Sequence, residues 1–202
     1  MLRRFLLAIA VALLAAGCMG DDGGGGDGGS VSASQGESLV LQQEDVGSEF
    51  TQFDRGEQRR VDLSPPRDDP NRLGREGGWK ARFSRTGTPE TRGALVISSL
   101  ADLFRSADDA GEDFELYKAS LGSLTSILAA GGREVSVSGL GDEAYAVTFE
   151  QGRAPNVIHH YAIAWRDGAV TASVNANGFR LTWPQALLLA RAQEKRIRSA
   201  AE

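Results

Sequence analysis

Cys18 is the only thiol in a chain of 202 residues. A thiol can close a disulfide, attack a carbonyl, ligate a metal or carry an acyl group. Without a second cysteine no disulfide can form within the chain, so any folded part must be stable through its core alone. Histidine is equally scarce, with His159 and His160 side by side. Neighbouring side chains of a strand point to opposite faces, so this pair cannot ligate one metal from a regular strand. No other Cys or His cluster completes a zinc-type site. Asp142-Glu143 faces the same geometric objection as a catalytic pair and reads as a turn or strand start. Asp108, Asp109, Glu112 and Asp113 fall in the first turns of a helix, where acids complement the dipole, and are expected to form a solvated face. The run Gly23–Gly29 has no preceding strand and no Gly-Lys-Ser/Thr, so it is not a phosphate loop. A Gly-x-Ser-x-Gly nucleophile elbow is missing as well. The expectation is a protein that is not an enzyme, with no metal and no cofactor.

One further group stands out. Between Thr51 and Gly78 lie six arginines, Arg55, Arg59, Arg60, Arg67, Arg72 and Arg75, with six acids among them. Pro65, Pro66 and Pro70 break regular structure there. A long irregular stretch in a compact domain is usually functional or mobile. Arginine forks recognise carboxylates and phosphates in two-pronged geometry. The stretch is therefore a candidate loop for an anionic small molecule, a cell-wall polymer or a protein partner.

The setting of Cys18 narrows its chemistry. Arg3 and Arg4 precede an unbroken apolar run of twelve residues, Phe5 to Ala16. A spanning helix needs about 20 residues, so the run fits the core of a secretory signal peptide. Ala15, Ala16 and Gly17 then lead directly into Cys18. This resembles the bacterial lipobox, in which cleavage exposes a cysteine that carries the lipid. The usual pattern has leucine three before the cysteine; here that position is Ala15, with Leu14 one further back. The resemblance implies residues 1–17 as signal peptide and Cys18 as the acylated first residue, carrying palmitate-type chains on the outer face of a bacterial membrane. Residues 18–36 contain eight glycines and few apolar side chains, so they read as a flexible tether. A Gly-rich chain of 18 residues reaches roughly 20–25 Å.

Bulk composition fits one domain over residues 37–202. Hydrophobic residues make up 41% and charged residues 24%, ordinary globular usage. The net charge of −5 becomes −7 once Arg3 and Arg4 leave, with 20 basic against 27 acidic residues. A mildly acidic chain lacks the basic face that nucleic acid requires.

The elements follow from pattern. Residues 37–47 read as a short strand and a helical turn. In Trp79–Ser84 apolar and polar residues alternate, as in a half-buried strand, and Ala94–Leu100 reads as a covered one. Ser106 with Asp109 forms a capping box. From Ala107 an apolar stripe through Ala110, Phe114, Tyr117, Leu121, Leu124 and Leu128 predicts a helix that stops at Gly131-Gly132. Two strands follow, and then a hairpin centred on Asp167-Gly168, a favoured turn pair. Counting outward from it pairs Trp165 with Val170 and Ile163 with Ala172, on one face with Tyr161 and Val174. The other face, with Ala162, Ala164, Thr171 and Ser173, is small enough for a helix to approach. Thr182 and Gln185 form a second capping box, with Pro184 in the first turn. The last helix runs from Trp183 to about Ala200, with Leu187, Ala190 and Ile197 inward and Glu194–Arg198 as an exposed pair.

This order predicts an α+β fold: an antiparallel sheet of about six to seven strands with helices packed on it. It resembles the PsbP/Mog1-like α/β/α sandwiches. Gly141-Asp142-Glu143-Ala144 opening a strand, then "YAIAWRDGAVTASV" and a terminal helix, also resembles small actinobacterial lipoproteins and extracellular sensor domains. The resemblance implies a non-enzymatic binding or sensing module anchored to the membrane through Cys18. The alternative is a lipoprotein that carries a lipid or other apolar ligand between sheet and helix.

Overall fold

The computed structural model describes residues 31–59, 69–128 and 131–202. Strands β1 (Thr51–Glu57), β2 (Arg75–Ser84), β3 (Val96–Phe104), β4 (Arg133–Glu134), β5 (Glu143–Gln151), β6 (Ile158–Asp167) and β7 (Val170–Gly178) form one sheet. Its order is β1-β2-β3-β7-β6-β5-β4, and every pairing between these strands is antiparallel. The helices are α1 (Gln43–Val46), α2 (Ala107–Leu128) and α3 (Trp183–Ala201). The α+β expectation holds.

The two faces are covered differently. On one, Phe114, Tyr117 and Leu121 of α2 meet Val147, Ala162 and Ala164. The small residues of β6 let α2 lie close, as their size predicts. Ser106 caps the helix by accepting from the Asp109 N–H at 3.1 Å. The opposite face holds the larger core. There Phe83, Ile97, Ile163, Trp165 and Val174 pack under Ala186, Ala190 and Ile197 of α3. The expected Thr182–Gln185 box is present, the Thr182 N–H donating to Gln185 Oε1 at 3.0 Å.

Several expectations are corrected. Leu39, Val40 and Leu41 are not in a strand. All three are at most 1% exposed, which the alternating faces of a half-buried strand cannot give. They form a strap wedged into the α3 side of the core, and Leu41 N–H bonds to the Ser99 hydroxyl rather than to a ladder. The strap also takes up residues assigned to the tether. Ala33–Ser38 is a 3-10 helix, and Gly36 is buried where a Cβ would enter the Trp79 ring. The first strand is instead β1, inside the stretch read as irregular. It is an edge strand whose side chains are largely exposed and, apart from the exposed Phe53, not apolar, so it lacks the apolar alternation by which strands are found. The hairpin pairs Asp167 with Val170 and Trp165 with Ala172. The loop is therefore Gly168-Ala169, displaced by one residue, which leaves the faces as expected and moves each partner by two. Gly168 takes the positive φ of the first turn position. Its N–H also donates to Asp142 at 3.0 Å, which fixes the frame.

Candidate functional site

Four of the six arginines, Arg55, Arg59, Arg72 and Arg75, are among the described residues. Arg55 on β1 donates to the carbonyls of Glu37 and Leu41 and ties the strap to the sheet edge. Arg75 opens β2 with its guanidinium on Asp102 and on the Gln58 carbonyl, and its side chain is only 10% exposed. Arg72 is exposed in the short turn Pro70–Leu73, and Arg59 is exposed beside β1. Arg60 and Arg67 lie outside the described residues, as does Cys18. Arg55 and Arg75 thus already serve the fold.

His159 and His160 behave as strand neighbours. His159 lies 3.2 Å from Glu150, while His160 stacks on Phe149 with centroids 4.5 Å apart. Burial, with the neighbouring His159, holds His160 below the usual histidine range. Asp142 and Glu143 open β5, and both pair with Arg166, at 2.9 and 3.1 Å.

A cleft of about 1130 Å³ opens at one end of the sheet. Three elements form it: the passage from β3 into α2, the β6–β7 turn, and the last turns of α3. Leu103, Val170 and Ile197 give it an apolar floor, while Glu76, Arg105, Asp167 and Arg198 supply charge around it. Val31, where the described chain begins, is on its wall.

Behind that wall is a residue misread in the sequence. Glu194 of α3 is not exposed but 5% accessible. One carboxylate oxygen accepts from the Gly141 N–H at 2.9 Å and from Arg198 Nε at 2.8 Å. The other accepts from the Trp165 indole N–H at 2.6 Å. Desolvation, reinforced by Asp167, pushes the Glu194 carboxyl above the usual range, against the Gly141 hydrogen bond and Arg198. The Arg198 guanidinium is raised in turn, chiefly by the Glu194 charge. Gly141 has φ +48°, and a Cβ there would collide with the Arg166 carbonyl. Gly141→Ala is expected to lower stability by about 1–3 kcal/mol through the left-handed backbone alone, with more from the collision. A urea midpoint equal to wild type would contradict this geometry.

Other polar groups are buried as well, among them Asp113, expected on a solvated face. Asp113 is fully buried and accepts from the Thr171 hydroxyl at 2.9 Å, pinning α2 to β7. Gln193 is fully buried and joins α3 to Ser99 and to the Leu100 carbonyl, at 2.7 and 2.8 Å. Lys80 is 4% exposed, with Asp54 at 2.9 Å. The signal for Gln193 was present: it falls on the stripe Ala186, Ala190, Ile197 at helical spacing.

These groups position elements; none forms a nucleophile–base pair. No cluster of three or more metal-ligating side chains occurs among the described residues, and no described helix is long and apolar enough to cross a membrane. The small void between α2 and the sheet, lined by Asp102, Tyr117 and Thr171, measures about 10 Å³.

The sequence matches no family model and no curated protein. Among solved structures it is similar to the extracellular domain of PknH from Mycobacterium tuberculosis. The TM-score is 0.63 at 14% identity, over 84% of this chain and 97% of that one. At that identity the likeness speaks for architecture, and this chain has the α+β fold of that mycobacterial extracellular domain.

Proposed function

We propose that the protein is a lipid-anchored, extracytoplasmic binding or sensing module that takes its ligand in the cleft at the sheet end. The observation that carries this reading is the cleft itself: an open site of about 1130 Å³ with an apolar floor and charges of both signs. A few fixed polar groups around an apolar surface is the usual make-up of a ligand site. The shared architecture with a mycobacterial extracellular domain supports an outer location. The carrier alternative draws less support. Trp165, Phe83 and Ile163 are fully buried beneath α3, which leaves the interlayer space filled.

Native mass spectrometry of the mature protein, released from its host membrane, tests the reading. The expected result is a non-covalent adduct that disappears in Ala201→Trp, a change at the half-buried last residue of α3, on the cleft lining, that narrows the cleft. A wild-type spectrum free of adduct, or an adduct that survives in Ala201→Trp, would contradict binding at this site.

A further inference from the structure

The α2 face of the sheet is covered along only part of its length. On β7, Thr171 and Ser173 are 7% and 3% exposed, whereas the next two residues on that face, Asn175 and Asn177, are half-buried. On β3 the change runs from buried Leu100 to half-buried Ser98 and exposed Val96, and on β6 from buried Ala162 to half-buried His160. The cover given by α2 therefore ends along one slanting line across three central strands and leaves a shelf beside the helix. Register gathers its polar side chains, since directly opposed residues share a face: Ser98 lies beside Asn175, and His160 beside Asn177. We propose that this shelf is a second binding site, and that it takes a neutral saccharide chain.

The shelf has hydrogen-bonding capacity that the fold does not use. No side-chain hydrogen bond ties Ser98, Asn175 or Asn177 to another described residue. The Nε2 atom of His160 is buried with no partner, and buried polar atoms of native proteins nearly always have one. Asparagine, serine and neutral histidine each donate and accept, as sugar hydroxyls do. Apolar surface for C–H faces borders the polar groups, from Val96 on β3 and from Phe149, which stacks on His160. Other occupants fit less well. An anionic polymer meets a shelf whose cation, Arg82 beside Ser98, is already matched by Asp54 at 3.1 Å. A peptide that adds as a strand needs a free sheet edge, and β3, β7 and β6 each have both edges paired. The shelf shares no residue with the lining of the cleft, so it does not rest on the cleft as a ligand site.

Two-dimensional proton–nitrogen NMR of the full mature chain tests the site. Maltohexaose, cellohexaose and mannohexaose serve as neutral probes, and a heparin hexasaccharide as the anionic comparison. The expected result is that at least one neutral probe shifts the side-chain amide resonances of Asn175 and Asn177 and the ring resonances of His160, while the heparin fragment does not. Replacing both amides, Asn175→Ala with Asn177→Ala, should weaken that probe about tenfold, with the fold checked by circular dichroism. Should the double variant fail to fold, each single variant still shows a smaller loss. Ala201→Trp, in the cleft, should leave the shelf response as it is. No shelf shift with any neutral probe, an equal response to the heparin fragment, or full affinity in the asparagine variants would overturn the site. So would a response lost in Ala201→Trp, which would place the sugar in the cleft.

Discussion

Trp165→Ala is expected to lower folding stability by ~3–5 kcal/mol. The side chain is fully buried, and it is the largest residue so placed. Its removal leaves a cavity between β6 and α3, the layer that joins the helix to the sheet. A second loss follows, since the indole N–H is one of the donors that hold Glu194 in its buried site. Small domains are stable by about 5–15 kcal/mol, so this one change can consume much of the total. Trp165→Phe separates the two effects. It keeps an aromatic ring in the cavity and removes the donor, and the expected loss is about 1–3 kcal/mol. Urea unfolding followed by circular dichroism measures both. A Trp165→Ala midpoint within 1 kcal/mol of wild type would mean that Trp165 does not face α3.

Cys18→Ala is expected to remove the protein from the membrane altogether. The apolar run before Cys18 is twelve residues long, short of the ~20 that span a bilayer. No described helix is long and apolar enough to cross a membrane; in the proposed reading, acyl chains at Cys18 do the holding. Each buried methylene contributes ~0.8 kcal/mol; one chain binds marginally, whereas two attach stably. Expressed in a high-GC Gram-positive host, wild type should fractionate with membranes. The variant should appear in the medium or remain as uncleaved precursor. Recovery of mature Cys18→Ala in the membrane fraction at wild-type level would contradict lipid anchoring.

The regular parts of the fold were legible because each carried a local signal. The Ser106 cap, the Thr182–Gln185 box, the α2 stripe and the faces of the β6–β7 hairpin follow from spacing and turn chemistry. What failed was wherever tertiary context overrides the local pattern. β1 is a polar edge strand, recognisable only once β2 is beside it. Leu39–Leu41 alternates like nothing in particular because it is a wedge covered on all sides. Asp113 and Glu194 look like ordinary helix-surface residues, yet each is buried against a particular donor on the sheet. The candidate site was less legible still. Within the arginine stretch, β1 and β2 carry Arg55 and Arg75 to separate internal partners, which their sequence proximity does not reveal. The cleft, by contrast, is assembled from the ends of elements distant in sequence, and no run of residues announces it.

The central claim is that this fold works while tethered outside the cell by its one cysteine. The most direct measurement is the mass of the N-terminal peptide of the mature protein from its own membrane. The account predicts a peptide that begins at Cys18 and carries a diacylglyceryl group. A peptide that begins elsewhere, or a free Cys18 thiol on protein recovered in the soluble fraction, would contradict it.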